Sequence, residues 1–294
     1  MQANPYRQGL LMVILGVVVL SFDGLLIRLA HADGWSIVFW RGFLMFCVLG
    51  ALCGVGNRLA TLRSNMSASF FSALLLGLIS TLFVLAVMNT NVANVVVILS
   101  SAPLFAALLS RVFLHEKVPL RTLGAIAVCM LGMGLVFMGD GAQGMLVGNL
   151  YALGAAAAIG GNLTLLRRYP SIDPVAVIAG GGLLSAAIAL PMASPLALGA
   201  QSYGVLALMG LVQMPLATVL INSATRYLPS TEVALFYLVE TALGTLWVWW
   251  MLGETPTTST LLGGAVIIAV LVLHALRGLH LEKQRFRLQG FADI

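Results

Sequence analysis

Charge is scarce in this 294-residue chain: Asp, Glu, Lys and Arg together make up 9%, where a water-soluble domain carries about 25%. So few charges cannot cover a surface that faces water, which argues against a soluble enzyme and against a nucleic-acid-binding module. Cysteine is nearly as rare. Cys47, Cys53 and Cys129 sit in apolar stretches at no metal-ligand spacing, so a disulfide scaffold is excluded and the three read as packing residues. The four histidines, His31, His115, His274 and His280, have no carboxylate or thiol at ligand distance along the chain, so no metal site is expected. Missing as well are Gly-x-Ser-x-Gly, His-Glu-x-x-His and a P-loop, the arrangements that build a nucleophile elbow, a zinc protease site and a phosphate cradle. No catalytic residue, no cofactor and no ATP hydrolysis are therefore expected. Gly139-Asp140-Gly141-Ala142-Gln143-Gly144 imitates a dinucleotide fingerprint, but it follows an apolar helix instead of a strand, and no acid follows about 20 residues on.

What the chain has in abundance is apolar sequence: 60% of its residues, with a mean hydropathy of +1.03. Runs of about 20 apolar residues match a hydrocarbon core roughly 30 Å thick. Boundaries at charges, Pro, Gly and Asn predict ten helical spans near 8–30, 34–55, 66–87, 92–113, 119–138, 145–166, 174–193, 203–225, 231–252 and 258–277. The predicted fold class is an all-α polytopic membrane protein whose partner is the lipid bilayer, with no nucleic acid involved. Arg7 ahead of an apolar run and Ala30-His31-Ala32 imitate a secretory signal, but Asp23 and Arg28 interrupt it. Alternate loops and the two tails hold thirteen of the 15 basic residues. By the positive-inside bias, both termini are expected in the cytoplasm.

The chain also repeats itself. A displacement of 138 or 139 residues sets Gly9 on Gly148, Arg28 on Arg167, Leu114-His115-Glu116 on Leu252-Gly253-Glu254, and Leu123 on Leu261. Five spans per unit is an odd number, so the second copy enters the membrane from the opposite side. Inverted repeats of this kind build many secondary transporters. The expected organisation is a first five-helix repeat at 1–140, a second, inverted one at 141–280, and a basic cytoplasmic tail at 281–294, arranged around a central cavity.

Each unit closes its fourth span with an apolar run into a short acidic loop: Pro103-Leu104-Phe105-Ala106-Ala107-Leu108-Leu109 up to Glu116, and Ala242-Leu243-Gly244-Thr245 up to Glu254. In this the chain resembles the EamA repeats of the drug/metabolite transporter superfamily, and within it the amino-acid exporters. The resemblance implies a ten-helix exporter of the bacterial inner membrane, its central cavity lined mainly by spans three, four, eight and nine.

Interrupted helices free backbone groups near the bilayer midplane, so breakers in corresponding spans point to a binding site. Span eight carries Gly210, Gln213 and Pro215, and span three carries Gly77, Ser80 and Thr81. Span four carries Ser100-Ser101-Ala102-Pro103, and span nine carries Glu240-Thr241 and Gly244. Glu240 is the most informative. A charge at the membrane centre costs roughly 2.5 to 3.5 kcal/mol even on insertion scales, so it should face the bundle interior. Tyr237 and Trp247 share its helical face, an arrangement able to hold an ammonium group by charge and cation-π attraction. Asn94 and Ser101 on span four and Gln213 on span eight are further substrate-binding candidates, although such residues also join helices in lipid. Asp23 and Arg41 each lie about 10 Å below the outer surface, where adjacent helices would pair them as a structural ion pair. The alternative role for Arg41 is to meet a substrate carboxylate with its forked donors. The function expected from all this is alternating-access export of amino acids and related small metabolites, with protons as the candidate coupling ion. A passive uniporter or channel and an intramembrane enzyme are the other readings.

Overall fold

The computed structural model describes residues 5–55, 65–114, 145–169, 171–224, 227 and 230–270, with isolated positions at 124–135 and 272–273. It describes only the backbone at 5, 55, 103, 167, 222, 230–238 and 241. The expected fifth span, 119–138, and the tail at 281–294 fall mainly or wholly outside the described residues.

Every described regular element is helical. In chain order these are α1 (Pro5–Leu20), α2 (Asp23–Leu29), α3 (Gly34–Val55), α4 (Met66–Asn89), α5 (Val92–Leu99), α6 (Ala102–Phe113), α7 (Leu146–Arg168), α8 (Pro174–Ala189) and α9 (Ala200–Ala207). A π-helical turn at Leu208–Gln213 leads into α10 (Met214–Ala224), followed by α11 (Ser230–Leu252) and α12 (Thr258–Val270). Among the described residues, six helical runs are long and apolar enough to cross a membrane: Tyr6–Leu29, Gly34–Gly54, Met66–Asn89, Val92–Phe113, Leu146–Leu166 and Ala200–Ile221. Large apolar side chains such as Leu11, Phe70, Leu150 and Leu262 remain exposed on their outer faces. With hydrocarbon as the solvent such faces need no cover, and the backbone polar groups are satisfied within each helix.

Helix starts follow local chemistry. Asp33 accepts from the amide of Ser36 at 2.9 Å ahead of α3. Asp173 accepts from the amides of Val175 and Ala176 at 2.8 and 3.2 Å at the start of α8, with Pro174 in the first turn. Both are short acceptors capping orphan amide donors. Helix packing follows small residues. A Cβ on Gly182 of α8 would fall 2.7 Å from the carbonyl oxygen of Gly42 on α3, so backbone meets backbone there, as small residues allow in lipid.

The interruptions differ from those expected. Span four does break at Ser100–Ser101, between α5 and α6, and span eight changes to a π-helical turn ahead of Pro215. Proline has no N–H to donate to the preceding turn, and π-turns absorb such defects. Spans three and nine, by contrast, are unbroken as α4 and α11. Their Gly, Ser and Thr residues leave every backbone N–H in place, and Thr81 donates back to the carbonyl of Gly77 at 2.9 Å. An interruption that was not expected occurs in span one, where Ser21–Phe22 separates α1 from α2.

Candidate functional site

The break in span one is held by a bond within the span and by two neighbouring segments, α11 and the π-turn. Ser21 turns its hydroxyl back to the carbonyl of Val18 at 2.7 Å, the local competition with helix that Ser and Thr side chains offer. The Trp247 indole of α11 donates to the same hydroxyl at 3.0 Å. Its ring stacks on Phe22 with centroids 4.9 Å apart. From the π-turn, the Gln213 amide donates to the carbonyl of Val19 at 3.2 Å. The π-turn reaches the site because Gly210 lies against α3: a Cβ there would be 2.6 Å from Leu44 Cβ and 3.2 Å from the Arg41 carbonyl oxygen.

Immediately beyond the break, Asp23 meets Arg41 of α3 with 2.9 Å between Oδ2 and Nη1. Each residue is 3% exposed. Arg41 also donates to the Met214 thioether at 3.3 Å and lies 5.6 Å from the centre of the Phe83 ring on α4. The Gln213 side chain lies against the Asp23 carboxylate. Around this pair Asp23 Oδ1, Arg41 Nε and Gln213 Oε1 are buried without a hydrogen-bond partner. Buried polar atoms are ordinarily bonded, so each such exception calls for an explanation. Their convergence marks a place where a polar solute would find both donors and acceptors.

Glu240 belongs to the same constellation. It lies within electrostatic reach of Asp23, and the residue is half-buried. Trp247, seven residues along α11, presents its half-buried ring on the same helical face. Gly244 between them is buried against the Ser21 carbonyl. The side chain of Tyr237 lies outside the described residues.

Two candidates from span four are occupied elsewhere. Asn94 is fully buried and sits in a chain of hydrogen bonds that joins α5 to α7 and α12. Its amide donates to Thr90 at 3.2 Å, Thr90 donates to Asn149 at 3.0 Å, and Asn94 Oδ1 accepts from Thr260. Thr260 in turn shares a 2.7 Å bond with Thr257. Ser101 spends its hydroxyl on the carbonyl of Ile98 at 2.6 Å, within its own span. Asn94 thus ties helices together, and Ser101 shapes the break.

A second charge pair lies further out, where Arg28 at the end of α2 meets Glu254, just past α11, at 2.9 Å. The same guanidinium nitrogen donates to the Thr90 carbonyl at 2.8 Å. The sequence assigned neither residue a partner or a place in the site. It also passed over the Ser21–Phe22 break, although a Ser, an Asp and a Gly within four residues of an apolar run were a signal that could have revealed it.

Long apolar helices around a buried ion pair define a multi-pass membrane protein. The sequence matches the EamA-like transporter family twice, over residues 7–138 and 146–276. The chain belongs to that family. It is similar to the uncharacterized transporter YdfC of Bacillus subtilis (strain 168), 25% identical over 274 residues that cover 90% of this chain and 80% of the relative. A solved crystal structure shares the fold with a TM-score of 0.63 at 19% identity, over 94% of this chain and 99% of that one.

Proposed function

We propose that this EamA-family transporter exports amino acids and related small metabolites across the bacterial inner membrane by alternating access. Glu240 receives the ammonium group and Trp247 contacts the side chain. Gln213 and the polar atoms left free around Asp23 and Arg41 meet the rest of the solute, and Tyr237 stands on the same helical face. Asp23 and Arg41 keep one another neutral as a structural pair. The single observation that carries the proposal is Glu240, half-buried and without an ion pair among the described residues, beside the sealed pair Asp23–Arg41. A substrate ammonium in such a cavity is held by charge and by ring faces, both strengthened where water is excluded. Protons are the candidate coupling ion because the same carboxylate can carry one in place of the substrate.

The architecture proposed is ten spans as two inverted five-helix repeats, 1–140 and 141–280, followed by a cytoplasmic tail at 281–294, with both termini inside. Support comes from which ends meet. Arg28, Thr90 and Glu254, at the outer ends of spans one, three and nine, are bonded together. Asn65 and Ser171, before spans three and seven, share a 2.9 Å bond, as alternation through the membrane requires. The resemblance to the amino-acid exporter YddG favours amino acids over other solutes. Proteoliposomes loaded with a panel of labelled amino acids, with and without a proton gradient, test the proposal. Saturable efflux that accelerates with substrate on the far side is expected. Linear, unsaturable flux would make the protein a passive channel, and no flux of any amino acid would remove them as cargo.

A further inference from the structure

Three elements that carry the central site are joined again at their outer ends. Asp23 and Arg28 lie on the same short helix, α2, five residues or about 7 Å apart. Glu240 and Trp247 lie on α11, and Glu254 follows two residues after that helix ends. Phe83 lies on α4, and Thr90 caps its end. The Arg28 guanidinium draws these ends together through one nitrogen, 2.9 Å from the Glu254 carboxylate and 2.8 Å from the Thr90 carbonyl oxygen.

Between site and latch the space is filled. Leu25 and Ile27 on α2, Val84 and Val87 on α4, Val96 on α5 and Val248 on α11 all belong to one buried apolar cluster. None of them is more than 7% exposed. In sequence, Leu25 and Ile27 fall between Asp23 and Arg28, and Val248 falls between Trp247 and Glu254. A packed layer of this kind blocks a polar solute, but its apolar contacts can be remade in lipid or in another packing and do not by themselves prefer the closed state. The ion pair can supply that preference. Its side chains are 26% and 21% exposed, so water can take the charges over when the ends part. That gives a contact strong enough to bias a two-state equilibrium and weak enough to open.

We infer that Arg28, bridging Glu254 and the Thr90 carbonyl, is the latch that holds the outer end of the substrate path closed in the state described, above a plug of Leu25, Val84, Val96 and Val248. The inference rests on the alternating-access reading, but not on the identity of the cargo. Opening the path outward requires the Arg28 bridge to break, so weakening it raises the share of outward-open protein and leaves the central site intact.

The test is side-resolved thiol labelling of the full chain in proteoliposomes. Cys47, Cys53 and Cys129 are replaced by Ala, and a reporter cysteine is placed at Gly244, where a Cβ meets the Ser21 carbonyl oxygen at 3.4 Å and Val96 at 3.8 Å, ordinary contacts. An impermeant thiol reagent is applied to each face in turn. Glu254→Gln is expected to raise the labelling rate from the face that bears Glu254 by about threefold, with no rise from the opposite face. The same substitution made on top of Arg28→Gln is expected to add nothing, because both break one contact. Unchanged labelling in Glu254→Gln, an equal rise from both faces, or a full effect of Glu254→Gln without Arg28 would each overturn the latch. Failure of the amino-acid reading would show as absent flux in the wild type, which this labelling does not measure.

Discussion

Asp23 on α2 and Glu240 on α11 lie within electrostatic reach of each other, and only Asp23 has a cation beside it. Arg41 stands 2.9 Å from Asp23, whereas Glu240 has no ion pair among the described residues. Of these two acids, one is paired by the fold, and the other is the one the proposed function assigns to the substrate ammonium.

Glu240→Gln is expected to leave a folded protein whose amino-acid flux falls about tenfold or more, a loss of about 1.4 kcal/mol of binding, because the amide keeps size and hydrogen bonding but cannot pair with an ammonium. If Glu240 exchanges protons instead, the same variant should lose the dependence of flux on pH while retaining exchange at equilibrium. A well-folded Glu240→Gln protein with unaltered flux and unaltered pH dependence would take Glu240 out of the mechanism.

Substituting either member of the sealed pair should damage the fold first. Removing one charge strands the other, a loss of about 3 to 5 kcal/mol in buried pairs, so Arg41→Ala and Asp23→Ala are expected to lower the melting temperature in detergent and the yield of monodisperse protein. An abundant, stable Arg41→Ala protein that binds no substrate would instead assign Arg41 to the substrate carboxylate.

Asn94→Ala and Thr260→Val are expected to destabilise without altering transport per folded molecule. Each leaves a buried partner unsatisfied, worth about 1 to 3 kcal/mol, and in a double-mutant cycle the two should be strongly non-additive. A changed apparent affinity for substrate in Asn94→Ala would return that residue to the binding site.

Trp247→Phe removes the donor to Ser21 but keeps a ring against Phe22. Flux of small amino acids should persist while the order of preference among large side chains shifts. An unchanged preference across the panel would show that the ring is scaffold and nothing more.

The register that sets Arg28 on Arg167 and Glu254 on Glu116 assigns a reciprocal charge pair to the opposite face when the halves are inverted copies. With the cysteine at Gly244 as reporter, Glu116→Gln should raise labelling from the face opposite Glu254. A rise confined to the Glu254 face would contradict the inverted arrangement. Glu116 lies outside the described residues.

Sequence alone determined the solvent and the helical class. Those properties follow from composition and from periods of about 20 residues, which a bilayer reads directly. It also singled out Glu240, Gln213, Asp23 and Arg41, because charged and polar groups are costly in hydrocarbon wherever the helices are placed. What it treated as two sites, Asp23–Arg41 near the surface and Glu240 at the centre, tertiary structure made into one. Depth along separate helices says nothing about how those helices turn towards each other, and the turn at Ser21–Phe22 that carries Asp23 inward is held by Trp247 and Gln213, more than 190 residues away. The partners of Asn94 and Arg28 were likewise decided only by packing. A polar side chain in a span must find a partner, but which partner it finds depends on the neighbour that stands within about 3 Å, and that is set by the packing of the whole bundle.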